Sequence, residues 1–238
     1  MDLVESKFIQ RPLMEISQLD NWRKLSARLS NHPKLFLQHM ITSTKLSNAN
    51  RHFKALEKLV PNHTAKDLME IEFSKKKWIS EIPSSLSQFE KILQFYDELE
   101  FIFYNLRSCI DSLLWEIKLM FELKCSKAAH VVPEMEKNFK EEEITKQLRS
   151  LKEKNWFKYL SEIRNNLIHR WLPEVAIDEE LLLYLPRRIS TNETNPKDYI
   201  LGKQYELFSC LDELRKNIMD FLEKGYKILV QDFPKLVS

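Results

Sequence analysis

The stretch EIRNNLIHRWLP, residues 162 to 173, sets a guanidinium, an amide and an imidazole along one short run of chain. Arg164 is permanently charged and can lay two parallel hydrogen bonds on a phosphate, stabilising charge as it develops there. His169 carries the side chain that titrates nearest neutral pH and can take or give a proton. Asn165 stands four residues before His169, so on a helix its amide can reach the imidazole and fix its orientation.

The helix that must position these groups is predicted from about Asn155 to Leu172, ended by Pro173, which cannot continue it. With Trp156 at zero and about 100° per residue, Leu160, Ile163, Leu167, Trp171, Phe157, Ile168 and Leu172 form one broad apolar face. Arg164 falls at about 80°, inside that face, whereas His169 falls near 220° with Lys158, Glu162 and Asn165. On residue types alone an Arg in an apolar face reads first as a core ion pair, with Asp111 an available partner and His169 favourably placed as a cation at a helix C-terminus. Asp111 fits an ordinary surface pair with Arg107, four residues earlier, better than a partnership with Arg164.

The rest of the chain reads as all-α. Glycine is scarce, Leu, Lys and Glu abound, and few apolar runs alternate. Ser85 and Gln88 fit a capping box after Pro83. From there Phe89, Ile92, Tyr96, Leu99, Phe103, Leu106, Ile110, Leu113, Ile117 and Met120 recur at steps of three and four, which predicts a helix of roughly 35 to 40 residues. Leu207, Leu211, Leu214, Ile218, Phe221 and Ile228 repeat the pattern near the C-terminus, and with the 155–172 helix the two make a bundle.

The segment KEEEITKQLRSLKEK reads as solvated and helical, with few core residues. Between 175 and 202, LLLYLP and DYIL flank the polar RRISTNETNPK, the pattern of a small β-hairpin near 181–201, although LLLYL could also close a short helix. Before Pro83 lie two further helices, Pro33 to Val60, capped by Asn31 or Ser30, and about Ala65 to Ile82, capped by Thr64 with Asp67. The expected division is a helical N-terminal region over 1–83 and a bundle over 84–238.

Composition excludes whole classes of function. Two glycines, Gly202 and Gly225, cannot supply a dinucleotide fingerprint or a Walker-type loop. A net charge of +2 differs from that of a protein that coats nucleic acid, so any such contact should be local. Lys75, Lys76 and Lys77 beside Trp78, and Arg187 with Arg188, could touch phosphates, but solvated faces explain them better. His32, His39, His52, His63 and His130 show no metal-binding spacing, and neither metal nor cofactor is expected. Cys109, Cys125 and Cys210 suit reduced core positions, no run is long enough to span a bilayer, and the first residues lack the pattern of a signal peptide, so a cytoplasmic location is expected.

RNNLIH resembles the R-x4-6-H signature of the HEPN superfamily, in which a polar residue follows the Arg, as Asn165 does here. Its place in a late helix of a bundle is also the family's context, and the resemblance covers about residues 84 to 238. Many HEPN proteins are metal-independent endoribonucleases. The resemblance therefore implies a catalytic set of Arg164, Asn165 and His169, RNA as substrate, and a composite site at a two-fold homodimer interface. His169 would move a proton from the attacking 2′-hydroxyl or to the leaving 5′-oxygen, and Arg164 with its apolar neighbours would face a partner subunit. Some relatives carry a Tyr two residues after the His, where this chain has Trp171. The superfamily also implies a toxin or defence role with a cognate antitoxin. Two rivals stand beside this reading: a non-catalytic HEPN module binding RNA, a nucleotide or a partner protein, and a purely structural bundle.

Overall fold

The structure, a computed structural model, describes residues 16–60, 86–169, 174–177, 181–184 and 205–236. The expected helix over 65–82, the 83/84 boundary, the Ser85 cap, the three lysines at 75–77, Arg187 and Arg188 and the DYIL segment lie outside the described residues.

Seven α-helices are described: α1 (Asp20–Leu29), α2 (Pro33–Leu59), α3 (Leu86–Met120), α4 (Val131–Asn138), α5 (Glu143–Leu151), α6 (Asn155–His169) and α7 (Leu207–Leu236). The spine is α3, 35 residues long. Its apolar stripe behaves as the spacing requires: Leu99, Phe103, Leu106, Ile110, Leu113 and Ile117 are completely buried. A helix this long is held by burial of one face more than by local propensity.

Along α3 runs α2, and their contacts fix an antiparallel pairing. His39 meets Glu116, Gln38 donates to the Ser112 carbonyl at 3.2 Å, and His52 meets Glu98, so α2 numbers rise as α3 numbers fall. Proline stands at the start of α2, where its missing N–H has no intrahelical partner to lose. The expected caps do not form. The residue before α2 is His32, which makes no side-chain cap bond, while the Ser30 hydroxyl donates back to the Ala27 carbonyl at 2.9 Å and closes α1 instead.

The first helix packs Trp22, Leu25 and Leu29 into the same core that runs through α2, α3 and α7. Arg28 donates to the Val230 carbonyl and Asn21 to Glu223 at 2.5 Å, tying α1 to α7. The described part of the N-terminal extension is thus bound into the bundle. In α5, the charged segment expected to be solvated buries Ile144, Thr145, Leu148 and Leu151. Those four occupy one stripe of the helix, and the many Lys and Glu around them masked it in a reading by composition. Gly225 permits a close crossing of α7 and α3, since a Cβ there would stand 3.3 Å from Leu113.

A three-stranded antiparallel sheet, β1 (Glu174–Ile177), β2 (Leu181–Tyr184) and β3 (Tyr205–Glu206), lies between α6 and α7 in sequence. LLLY is therefore a strand, as the hairpin reading required, with two partners among the described residues. It pairs with β1 on one side, Glu174 opposite Tyr184, and with β3 on the other, Leu183 opposite Tyr205. Cys109 and Cys210 are buried and Cys125 is half-buried, all three as free thiols. Among the described residues no helix is long and apolar enough to cross a membrane.

Candidate active site

The motif helix α6 presents Tyr159, Leu160 and Ile163 to the core, exposed by 6%, 0% and 1%. With Trp156 at zero, these fall at about 300°, 40° and 340°. Among the described residues of α6 the buried sector is therefore centred close to the direction of Trp156. Trp156, in the first turn, is half-buried against the core, and Phe157 is half-buried at the sector's border. Arg164, at about 80°, lies on the same border beside Phe157 and is itself half-buried. Its guanidinium is neither sealed in the core nor fully solvated.

Among the described residues Arg164 has one hydrogen-bonding partner: its Nη1 donates to Asn165 Oδ1 at 3.3 Å. Asp111 does not serve it. That carboxylate accepts from Arg107 Nη1 at 2.5 Å, four residues away on α3, and Arg107 in turn lies over the Phe157 ring at 4.8 Å from its centroid. Of the two arginines near this side of α6, Arg107 is neutralised by a carboxylate and Arg164, two turns beyond Phe157, has none among the described residues. A bidentate cation in that state can accept an anionic ligand without first breaking an ion pair.

Asn165 is exposed and His169 is the last residue of α6, but the His169 side chain lies outside the described residues. The structure thus joins Arg164 to Asn165, while the Asn165–His169 contact is not described. Among the described residues no three His, Cys, Asp or Glu side chains converge as metal ligands.

One buried polar cluster went unrecognised in the sequence. His39 Nδ1 lies 2.8 Å from Glu116 Oε1, and its Nε2 lies 3.1 Å from the Trp22 carbonyl. Tyr226 donates to the other Glu116 oxygen at 3.4 Å, and the Trp22 indole stacks on the imidazole at 4.8 Å. His39, Glu116 and Tyr226 are completely buried. Burial holds the Glu116 carboxyl above the usual carboxylate range, although the His39 hydrogen bond pulls the other way. Burial and the neighbouring Glu116 likewise push the Tyr226 phenol well up. A usable signal existed: His39 continues the buried stripe Thr42, Leu46, Ala49, Phe53 and Leu56 at steps of three and four. Its partner lies 77 residues away, and no local pattern names it.

The family model for Cthe2314-like HEPN proteins matches residues 44–231. No curated protein and no solved structure matches the chain. The family match opens inside α2, earlier than the start near residue 84 that the motif and long helix suggested, and reaches the last turns of α7. A match of that length cannot come from a six-residue motif alone, and the chain belongs to the HEPN superfamily, in its Cthe2314-like family.

Proposed function

We propose that this protein is a metal-independent RNA endonuclease that cleaves by attack of the 2′-hydroxyl on the adjacent phosphate. The observation that carries the reading is Arg164, a half-buried guanidinium on the margin of the motif helix with an amide as its partner. In this reading Arg164 binds the scissile phosphate and stabilises the charge that builds on it. His169 moves the proton between the 2′-hydroxyl and the leaving 5′-oxygen, and Asn165 orients the ring. A second copy of α6 across a two-fold axis completes the site, since one chain brings one His in this motif. A toxin or defence effector, held by a cognate antitoxin, is the biological setting that superfamily membership favours.

Cleavage of a labelled RNA in excess chelator is the test, with product ends analysed. The expected products carry 2′,3′-cyclic phosphate, because an internal hydroxyl is the nucleophile. Arg164→Ala and His169→Ala should each lower the rate by about 10²- to 10⁴-fold. A wild-type protein that binds RNA and never cuts it would instead support a non-catalytic HEPN module.

A further inference from the structure

The outward face of α3 carries three aromatic rings, each in contact with a nitrogen base or cation. Phe101 and Tyr104 are 49% and 40% exposed, and Trp115 is half-buried. At about 100° and 1.5 Å per residue, the three rings share an arc of about 60° and extend over about 21 Å of helix. The His52 imidazole of α2 stacks on Phe101, centroids 4.8 Å apart and planes 17° apart. Lys45 Nζ lies 5.3 Å from the Tyr104 centroid, and Lys118 Nζ lies 4.2 Å from the Trp115 centroid. Between the last two rings Arg107 covers Phe157 of α6. Phe157 stands two turns before Arg164 on the same side of α6, so the row borders the helix of the candidate site.

We infer that this row on α3, flanked by Lys45 and Lys118, is a binding track for single-stranded RNA beside the Arg164 helix. The inference rests on the RNA-directed reading above and adds the form of the substrate and the surface that holds it. Exposed rings take up bases by stacking, which a paired base inside a duplex cannot offer, and cations beside the rings meet the phosphates between bases. The row is not uniformly basic. Glu98 holds His52 at 2.7 Å and Asp111 holds Arg107, while Asp97 and Glu100 lie along the same stretch of α3. Stacking must therefore dominate, with Lys45 and Lys118 supplying most of the phosphate contact. That combination predicts a weak salt dependence, with a log–log slope of about −1.4 for two phosphates on a single strand.

The test is fluorescence anisotropy of the full chain with a labelled 2′-O-methyl oligoadenylate, which lacks the attacking hydroxyl and so reports binding alone. Phe101→Ala with Tyr104→Ala should weaken binding about tenfold or more. Lys118→Gln should weaken it less and flatten the salt slope, and an RNA duplex should compete at least about tenfold more weakly than the strand. Sedimentation should show the oligomeric state unchanged in all variants. Unchanged affinity in the double variant overturns the track, and loss of self-association with unchanged affinity assigns the face to a second copy instead. The two readings fail separately. RNA bound through these rings but never cut would remove the nuclease and leave the track, while RNA cut normally by a double variant with wild-type affinity would remove the track and leave the nuclease.

Discussion

Two arginines in this protein show how the surroundings of a guanidinium set its role. Arg215 is 2% exposed, lies over the Phe53 ring at 4.3 Å and donates to Asp212 at 3.2 Å. Its stem and head fill core volume, so Arg215→Ala should cost about 2 to 5 kcal/mol, mostly as lost packing. Arg164 is half-buried and has no carboxylate partner among the described residues. Truncating it strands no buried counter-charge, and Arg164→Ala should change stability by less than about 1 kcal/mol. Denaturant unfolding of the two variants separates these outcomes. A large loss at Arg164 would mark it as a structural residue, whatever the cleavage assay reports. Cys109 has a third fate: burial pushes its thiol up to about 12, which leaves it an unreactive core residue.

At the scale of elements, α1, α2, α3 and α7 share an apolar core and meet around one buried polar cluster. The Trp22 carbonyl can only accept, so His39 Nε2 must carry hydrogen. The contact between Nδ1 and Glu116 Oε1 then needs one more proton, supplied from either side, and Tyr226, with Thr42 beside it, faces the pair. Because the folded Glu116 carboxyl titrates above its ordinary value of 4.5, the native state retains a proton that the unfolded chain gives up. Its contribution to stability is therefore full below about pH 4.5 and is lost as pH rises through the folded pKa. Unfolding free energies from pH 5 to 8 should fall more steeply in wild type than in Glu116→Gln, by up to about 1.4 kcal/mol per pH unit. Parallel curves would show that the carboxylate does not control this packing. Trp22→Ala, which removes the indole from the imidazole, should cost about 3 to 5 kcal/mol in the same assay.

For the whole molecule, the proposed chemistry requires two copies, because each chain brings a single His in the motif. Sedimentation at micromolar concentration should report twice the monomer mass, and cleavage per chain should fall on dilution as the dimer dissociates. Activity that is constant across the dissociation range would place a complete site within one chain. The family match leaves out α1 and the first turns of α2, yet His39 from that part meets Glu116 and Tyr226 inside the matched bundle, with Trp22 stacked on its ring. The N-terminal helices are therefore built into the same core as the segment that defines the family.

Periodicity by itself determined the long helices. Ten apolar residues at steps of three and four leave α3 no other way to bury them, and the same reasoning placed α7 and the body of α6. The RNNLIH spacing marked Arg164, and through the family it marked His169, because those signals lie within a few residues of one another. Contacts between distant parts of the chain carry no such local trace. Nothing in the sequence pairs His39 with Glu116, or sets β2 between β1 and β3. The Arg107–Asp111 pair, four residues apart on one helix, was legible and forms, but that Arg107 also covers Phe157 of α6 was not. Those outcomes depend on which faces meet when the helices pack, and on which polar groups burial then obliges to find partners. Only the tertiary structure decides that.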